Sequence, residues 1–294
     1  MRYRITHTTD YRYSDAVQLR PHILRLCPRS DGMQWLQKFE ITLSPDPVQQ
    51  TYFLDENGTT CLRVGFDSPL EAWHIQTVSE VYTTRDNPFD YLAEPWAMQL
   101  PVDYPSSLAV QLRPYWDLPL GGGIDDAITP EVIAIAHTLM AEVDNNTSYF
   151  LTRLTQLIPE KCVYQQRLEG MPQAAAVTLN KHSGTCRDFT VLFMAVCRAV
   201  GLAARFVSGY QEGDLEQNAH DLHAWAEVYV PGGGWRGFDP TLGLAVSDRH
   251  VVIAAAADPK QAAPVTGTLQ PGQRVETTLE SDIHIEAVSE ALET

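Results

Sequence analysis

Three side chains in the second half of the chain have the types and the local settings of a thiol-based acyl-transfer machine: Cys186, His223 and Asp239. A thiol attacks a carbonyl as thiolate, and a helix N-terminus favours that anion through unpaired backbone N–H groups and the macrodipole. Cys186 has that setting. Behind it Phe189, Leu192, Phe193, Val196, Cys197 and Val200 recur at helical spacing on one face, and Gly201 supplies a stop. An imidazole that exchanges a proton with the thiol must in turn be oriented by a third group. His223 and Asp239 are separated by an even number of residues centred on Pro231, so a hairpin symmetric about that residue sets ring and carboxylate side by side on one face.

Taken singly, each of these residues has a plainer role. A cysteine is a small buried hydrophobe, a strand histidine is ordinary, and an aspartate before a proline forms a turn. Cys197 falls on the apolar helix face and reads as core, and Cys27, Cys61 and Cys162 read as structural. The conjunction, in this order and on these elements, is what points to chemistry.

The elements that must position the three are legible on either side. Leu202 to Tyr210 reads as a strand. His223 to Val230 reads as a second strand, with His223, Trp225, Glu227 and Tyr229 on one face and Ala224, Ala226, Val228 and Val230 on the other. Gly232 to Gly234 make a turn, and Trp235 to Asp239 form a third strand ended by Pro240. Upstream, Thr129-Pro130-Glu131 opens a helix to about Val143, and a second covers Ser148 to Ile158. Residues 1–84 alternate as short strands broken at Ser44-Pro45-Asp46-Pro47 and at Asp55-Glu56-Asn57-Gly58, which predicts an antiparallel β-sandwich. Residues 85–128, rich in proline and carrying Gly121-Gly122-Gly123, read as a linker with one short helix, and residues 129–294 as the core with C-terminal strands.

With 21 basic against 37 acidic residues the formal charge of the 294-residue chain is −16, which makes nucleic acid a poor partner and disfavours acidic substrates at long range. The N-terminus lacks the apolar core of a secretory leader, and Val251 to Ala257 is far shorter than the ~20 apolar residues of a membrane span. Five irregularly spaced cysteines argue against a disulfide framework, so the expected location is the cytoplasm, and the sequons at Asn57, Asn145 and Asn146 read as chance matches.

The strings GTCRDF (184–189), RAVGLAARFVSGY (198–210), HAWAEVYVPGGGW (223–235) and GFDPT (237–241) closely resemble the core of the transglutaminase-like superfamily. TDYRYSDAVQLRPHILRLCPR (9–29) and the DENG turn resemble the β-rich region that precedes this core in its bacterial branch. The resemblance implies an α+β chain in which the sandwich is followed by a papain-like, transglutaminase-like cysteine protease core with a Cys-His-Asp triad at Cys186, His223 and Asp239. It further implies a protein or peptide substrate attacked through a thioester and no cofactor; because no acidic loop of this chain resembles the calcium sites of animal transglutaminases, no calcium dependence is expected. Water as acceptor gives hydrolysis, the expected outcome, and an amine gives transamidation. The backbone N–H of Cys186 is the natural first oxyanion donor, with Tyr164 and Trp225 as candidates for a second. Asp188 reads equally as a helix cap or a catalytic group. Where bacterial relatives carry a glycine-arginine-aspartate motif, this chain has Ala256-Ala257-Asp258.

Two other readings compete. His220 and His223 with Cys186 or Asp239 offer nitrogen, sulfur and oxygen ligands for zinc. The same fold without turnover would serve as a scaffold or peptide-binding module.

Overall fold

The computed structural model describes residues 1–117, 128–167, 170–213, 222–273 and 275–288. The first part of the chain forms strands β1 (Arg2–Val17), β2 (His22–Leu24), β3 (Gln34–Ser44), β4 (Gln49–Leu54), β5 (Thr60–Gly65) and β6 (Leu70–Thr83). They divide between two antiparallel sheets that enclose Val17, Leu24, Leu43, Leu62, Val64, Ile75 and the fully buried Trp73, which is the expected sandwich. Tyr11 stacks on Trp73, and Phe66 and His22 meet its ring edge-on.

Helices α1 (Ser106–Leu112) and α2 (Pro114–Asp117) occupy the proline-rich stretch, where the sequence predicts one short helix; the triple glycine lies outside the described residues. The core then follows with α3 (Pro130–Glu142), α4 (Thr147–Lys161), β7 (Val163–Tyr164), α5 (Ala175–Lys181), β8 (Ser183–Gly184), α6 (Cys186–Ala199), β9 (Ala204–Gln211), β10 (His223–Val230), β11 (Gly234–Asp239), β12 (Leu244–Ala245) and β13 (His250–Ala256). Its sheet is antiparallel in the order β12-β11-β10-β9-β13. Helix α6 is buried almost all round rather than on one face, because Val191, Met194 and Ala195 complete the apolar circumference; it is the central helix of the domain.

The C-terminal strands leave the core. Strand β14 (Val265–Thr266) pairs with β2, and β15 (Thr277–Ala287) pairs with β1 from Tyr3↔Ala287 to Tyr13↔Thr277. The sequence groups these strands with the core; the structure gives them to the sandwich, where they cover the edges that β1 and β2 would otherwise leave open. One face of β1 then does three jobs in succession: Tyr3 and Ile5 pack into the helix-containing core, His7, Thr9 and Tyr11 line a cleft, and Val17 enters the sandwich interior.

Polar contacts fix the sandwich to the core. The side-chain amide of Gln34 donates to the Val252 carbonyl at 3.0 Å while its oxygen accepts the Val252 N–H at 2.8 Å. Arg29 donates to Glu227 at 3.0 Å, and Arg205 donates to the same buried carboxylate at 2.7 Å. Burial pushes the Glu227 carboxyl up, but the two guanidinium groups outweigh it and bring it down to about 2. This clamp contributes in full above the usual carboxylate range and is lost as the pH falls toward 2. Replacing Glu227 by Gln is expected to lower the unfolding free energy by about 3 kcal/mol, the low end for breaking a buried pair, because Arg29 keeps part of its side chain in water. Urea midpoints at neutral pH check this, and the deficit should shrink in acid, where wild-type Glu227 also loses its charge.

Candidate active site

Cys186 is the first residue of α6, preceded by Thr185 in extended conformation at the N-cap. The capping box is complete: the Thr185 hydroxyl accepts the Asp188 N–H, and Asp188 Oδ2 accepts the Thr185 N–H at 2.9 Å. Asp188 is fully buried and accepts three more donors, the Gln173 N–H at 2.7 Å, the Gln173 amide at 2.9 Å and Arg167 at 2.8 Å. Burial raises its carboxyl, but the Thr185 and Gln173 donors and Arg167 overcome that and hold it below the usual range. With its acceptor positions filled and no place on the cleft wall, Asp188 is a cap and loop anchor. Gly184 is required here, because a Cβ at that position would lie 2.8 Å from the Asp188 Cβ. Arg187 donates to the Gly170 carbonyl at 2.8 Å and to that of Arg167, so consecutive residues of α6 hold the segment that borders the cleft.

The structure brings the three predicted residues together. His223, at the start of β10, interacts with Cys186 on one side. On the other, its Nε2 lies 2.7 Å from Asp239 Oδ2, leaving Nδ1 for the thiol. Strands β10 and β11 pair Val230 with Gly234 and Ala226 with Phe238, so the hairpin turns about Gly232 and not Pro231. Asp239 is therefore diagonal to His223, with the same face preserved because the shift in register is even. Burial disfavours the imidazolium, yet the charge and hydrogen bond of Asp239, with Cys186, raise the ring to about 10. Asp239 is wholly buried; burial pushes its carboxyl up, and His223 and His250 together bring it far below the usual range. The other four cysteines are apart from this chemistry, and burial raises every one of their thiols.

Several residues of the site escape sequence reasoning. His250, the first residue of β13, points its Nε2 at Asp239 Oδ2 from 3.2 Å. His7 pairs its Nδ1 with the Tyr210 hydroxyl at 3.0 Å and its Nε2 with Thr9 and Ser281 at 3.1 and 3.3 Å. The one available signal for His7 was a polar residue in phase with Tyr3 and Ile5 on the buried face of a strand. Of the two second-donor candidates, Tyr164 lines the cleft. Trp225 does not: it is buried among Val207, Val246, Val252 and Ala255, the reverse of an exposed donor. Gln166, which the sequence did not single out, also lines the cleft. At the divergent Ala256-Ala257-Asp258, Asp258 caps a short 3-10 turn by accepting the Lys260 N–H, and Arg198 from α6 donates to the Ala257 carbonyl at 3.0 Å. His220, invoked for a zinc site, lies outside the described residues; among the described residues no three His, Cys, Asp or Glu side chains are grouped to hold a metal. No described helix is long and apolar enough to cross a membrane.

The cleft above Cys186 holds about 470 Å³. His223, Phe206 and Leu222 line it from the core, and His7, Thr9, Tyr11 and Ser281 from the sandwich. A thiol at a helix N-terminus, a paired imidazole and a cleft beside them are the parts that acyl transfer requires.

Comparison with known proteins agrees with this arrangement. Residues 133–240 match the transglutaminase-like superfamily, and residues 3–82 match the bacterial transglutaminase-like N-terminal region. An uncharacterized protein of Mycobacterium tuberculosis is 28% identical over 284 residues, spanning 91% of this chain and 87% of its own. The protein-glutamine gamma-glutamyltransferase of Pseudomonas aeruginosa is 39% identical over 70 residues, 21% of this chain and 10% of that enzyme. Among solved structures, a candidate cysteine protease from Cytophaga hutchinsonii shares the fold with a TM-score of 0.72 at 20% identity, over 98% of this chain and 92% of that one. The family match supports an enzyme of the transglutaminase-like kind. The two family matches follow one another in the order of the sandwich and the core and span well over half of the chain, which belongs to the transglutaminase-like superfamily.

Proposed function

We propose that this protein is a cysteine-dependent acyl-transfer enzyme that opens a carboxamide or peptide bond of a protein or peptide through a thioester, with water as the acceptor. The observation that carries this reading is the line of interacting groups from Cys186 through His223 to its hydrogen-bonded partner Asp239 at the foot of the cleft. Cys186 Sγ, its proton held on His223, attacks the carbonyl carbon; the S–C bond forms and the carbonyl becomes an oxyanion. The Cys186 N–H, which has no acceptor within its own helix, is a donor to that oxyanion. Collapse breaks the C–N bond, and the leaving amine takes the proton from His223. Water then attacks the thioester, His223 receives its proton, and the S–C bond breaks to release the acid and return the Cys186–His223 pair. Asp239 stays ionised throughout, orienting the ring and stabilising the imidazolium.

The mixed lining, with Leu26, Phe206 and Leu222 beside hydroxyl groups, suits a peptide whose side chain is apolar and whose backbone needs hydrogen bonds. Five free thiols fit a reducing compartment, and this supports the cytoplasm as the proposed location. Ammonia release from a glutamine peptide without incorporation of an added amine is the expected product pattern; amine incorporation at the expense of acid would replace hydrolysis by transamidation.

Alkylation by iodoacetamide at neutral pH followed by peptide mapping tests the pair without a substrate. Cys186 is expected to react ahead of Cys197, and His223→Ala to slow it by at least about tenfold. Equal rates in wild type and variant would leave the fold as a scaffold. Turnover is expected to fall on the order of a thousandfold or more in Cys186→Ala. Because His223 is raised to about 10, activity in wild type should hold through neutral pH and decline as the pH approaches that value and the ring loses the proton it must donate. A decline centred near the ordinary histidine value would mean that Asp239 does not hold the ring in solution.

A further inference from the structure

Two histidines meet one carboxylate oxygen. Asp239 Oδ2 faces His223 Nε2 at 2.7 Å and His250 Nε2 at 3.2 Å, while Oδ1 accepts the N–H groups of Thr241 at 2.9 Å and Leu242 at 3.2 Å. An ionised carboxylate can only accept, so both rings present N–H at Nε2. Their second nitrogens differ. That of His223 is turned to Cys186, whereas His250 Nδ1 is buried with no partner among the described residues. A pyridine-type nitrogen in that position forgoes one acceptor bond. An N–H there would be an orphaned donor on a second buried cation beside the His223 imidazolium.

We infer that His250 is a positioning residue, a permanently neutral Nε2–H donor that fixes the Asp239 carboxylate on His223 and draws off part of its charge, so that His223 keeps a proton it can still release. The inference rests on the acyl-transfer reading above. The titratable and charged groups that act on His250 are Asp239 from the end of β11, His223 from β10 and, beside it in sequence, Arg249, which is paired with Glu212 at 2.9 Å. Its strand neighbour on β9, Gln211, is uncharged, and its ring packs edge-on against Trp225 at 5.2 Å. Burial lowers its basicity, the Asp239 contact restores only part, and the cationic neighbours lower it again.

A carboxylate that loses one donor offers its neighbour a more concentrated charge. In His250→Leu the His223 ring should therefore hold its proton longer and give it up less readily to a leaving group. His250→Gln, whose amide N–H₂ can replace the lost donor, should behave as wild type. The test is ring-nitrogen NMR of the full chain against pH for wild type, His250→Gln and His250→Leu, with kcat and KM measured on a glutamine peptide. The expected result has three parts. The His250 resonances of wild type, identified by their absence from the Gln variant, show the neutral Nε2–H form with no titration between about pH 5 and 8. The His223 titration moves up by roughly half to one pH unit in Leu but not in Gln. In Leu, kcat falls on the order of tenfold with KM little changed, as the loss of one charge-assisted hydrogen bond implies.

A wild-type His250 that titrates in that range or carries its proton on Nδ1 overturns the inference without any variant having to fold. A Leu variant whose His223 titration superimposes on wild type overturns it as well, with the acyl-transfer reading intact if alkylation of Cys186 still depends on His223. The converse failure is separate: if Cys186 alkylation ignores His223 in wild type, the acyl-transfer reading falls and the positioning role falls with it.

Discussion

The geometry of the site depends on keeping one carboxylate charged inside the protein. An isolated carboxylate moved from water to the interior would take up a proton. Asp239 avoids this because four N–H donors converge on it from separate pieces of the fold. Strand β10 brings His223, strand β13 brings His250, and the turn after Pro240 brings the backbone of Thr241 and Leu242. Those elements lie at different positions of one sheet, so the sheet must be in register before the anion is stable. The requirement extends to the glycines behind it. His223 pairs across to Gly209, where any side chain would run into the Val251 carbonyl and the Trp225 indole. The indole that Gly209 admits is the surface against which His250 packs.

A second constraint is that the cleft has no complete wall within the core. Its far side is the middle of β1 with β15 alongside, so two strands far apart in the sequence must pair with each other before the cleft exists. That explains the length of β1 and the investment in the interface. The Gln34–Val252 pair, the Arg29–Glu227–Arg205 clamp and the His7–Tyr210 contact all cross between sandwich and core, and all are at least partly buried. A long strand anchored at one end in the core and at the other in the sandwich acts as a beam; the polar residues at its centre can face a cleft because the apolar residues at its ends supply the burial.

What the sequence could disclose follows the range of the interactions. Helix α6 with its N-terminal cysteine, the hairpin of β10 and β11 and the parity that joins His223 to Asp239 are local patterns, and they are written in residue spacing. The turn centre was displaced from Pro231 to Gly232 because a run of glycines leaves the register to be decided by pairing, not by turn chemistry. The partner of β15 was beyond reach, since an alternating strand states which face it buries but not which strand it joins. His250 was invisible for a related reason. It stands behind Asp239 through the lateral order of the sheet, β11-β10-β9-β13, which brings together strands that are not successive in the chain. Asp188 sat in a catalytic-looking motif, and only its four donors decide that it is a cap.

Three buried or nearly buried histidines surround this site, and their partners alone assign them different protonation. His7 meets only hydroxyl groups; nothing offsets its burial, which lowers it to about 4, so it remains neutral and can exchange hydrogen bonds with Tyr210, Thr9 and Ser281. His223 meets a carboxylate and a thiol, and together they overcome burial and raise it to about 10. His250 touches that same carboxylate, yet its basicity is lowered, because burial outweighs the carboxylate's pull and the cation already stabilised on His223 lowers it further. Proximity to Asp239 is thus insufficient to charge a histidine here. The first ring to take the proton is the one that also faces the thiol, so the single cation of the pocket is placed where a thiolate would need it. A second ring held neutral on the same anion adds a hydrogen bond without adding a competing charge.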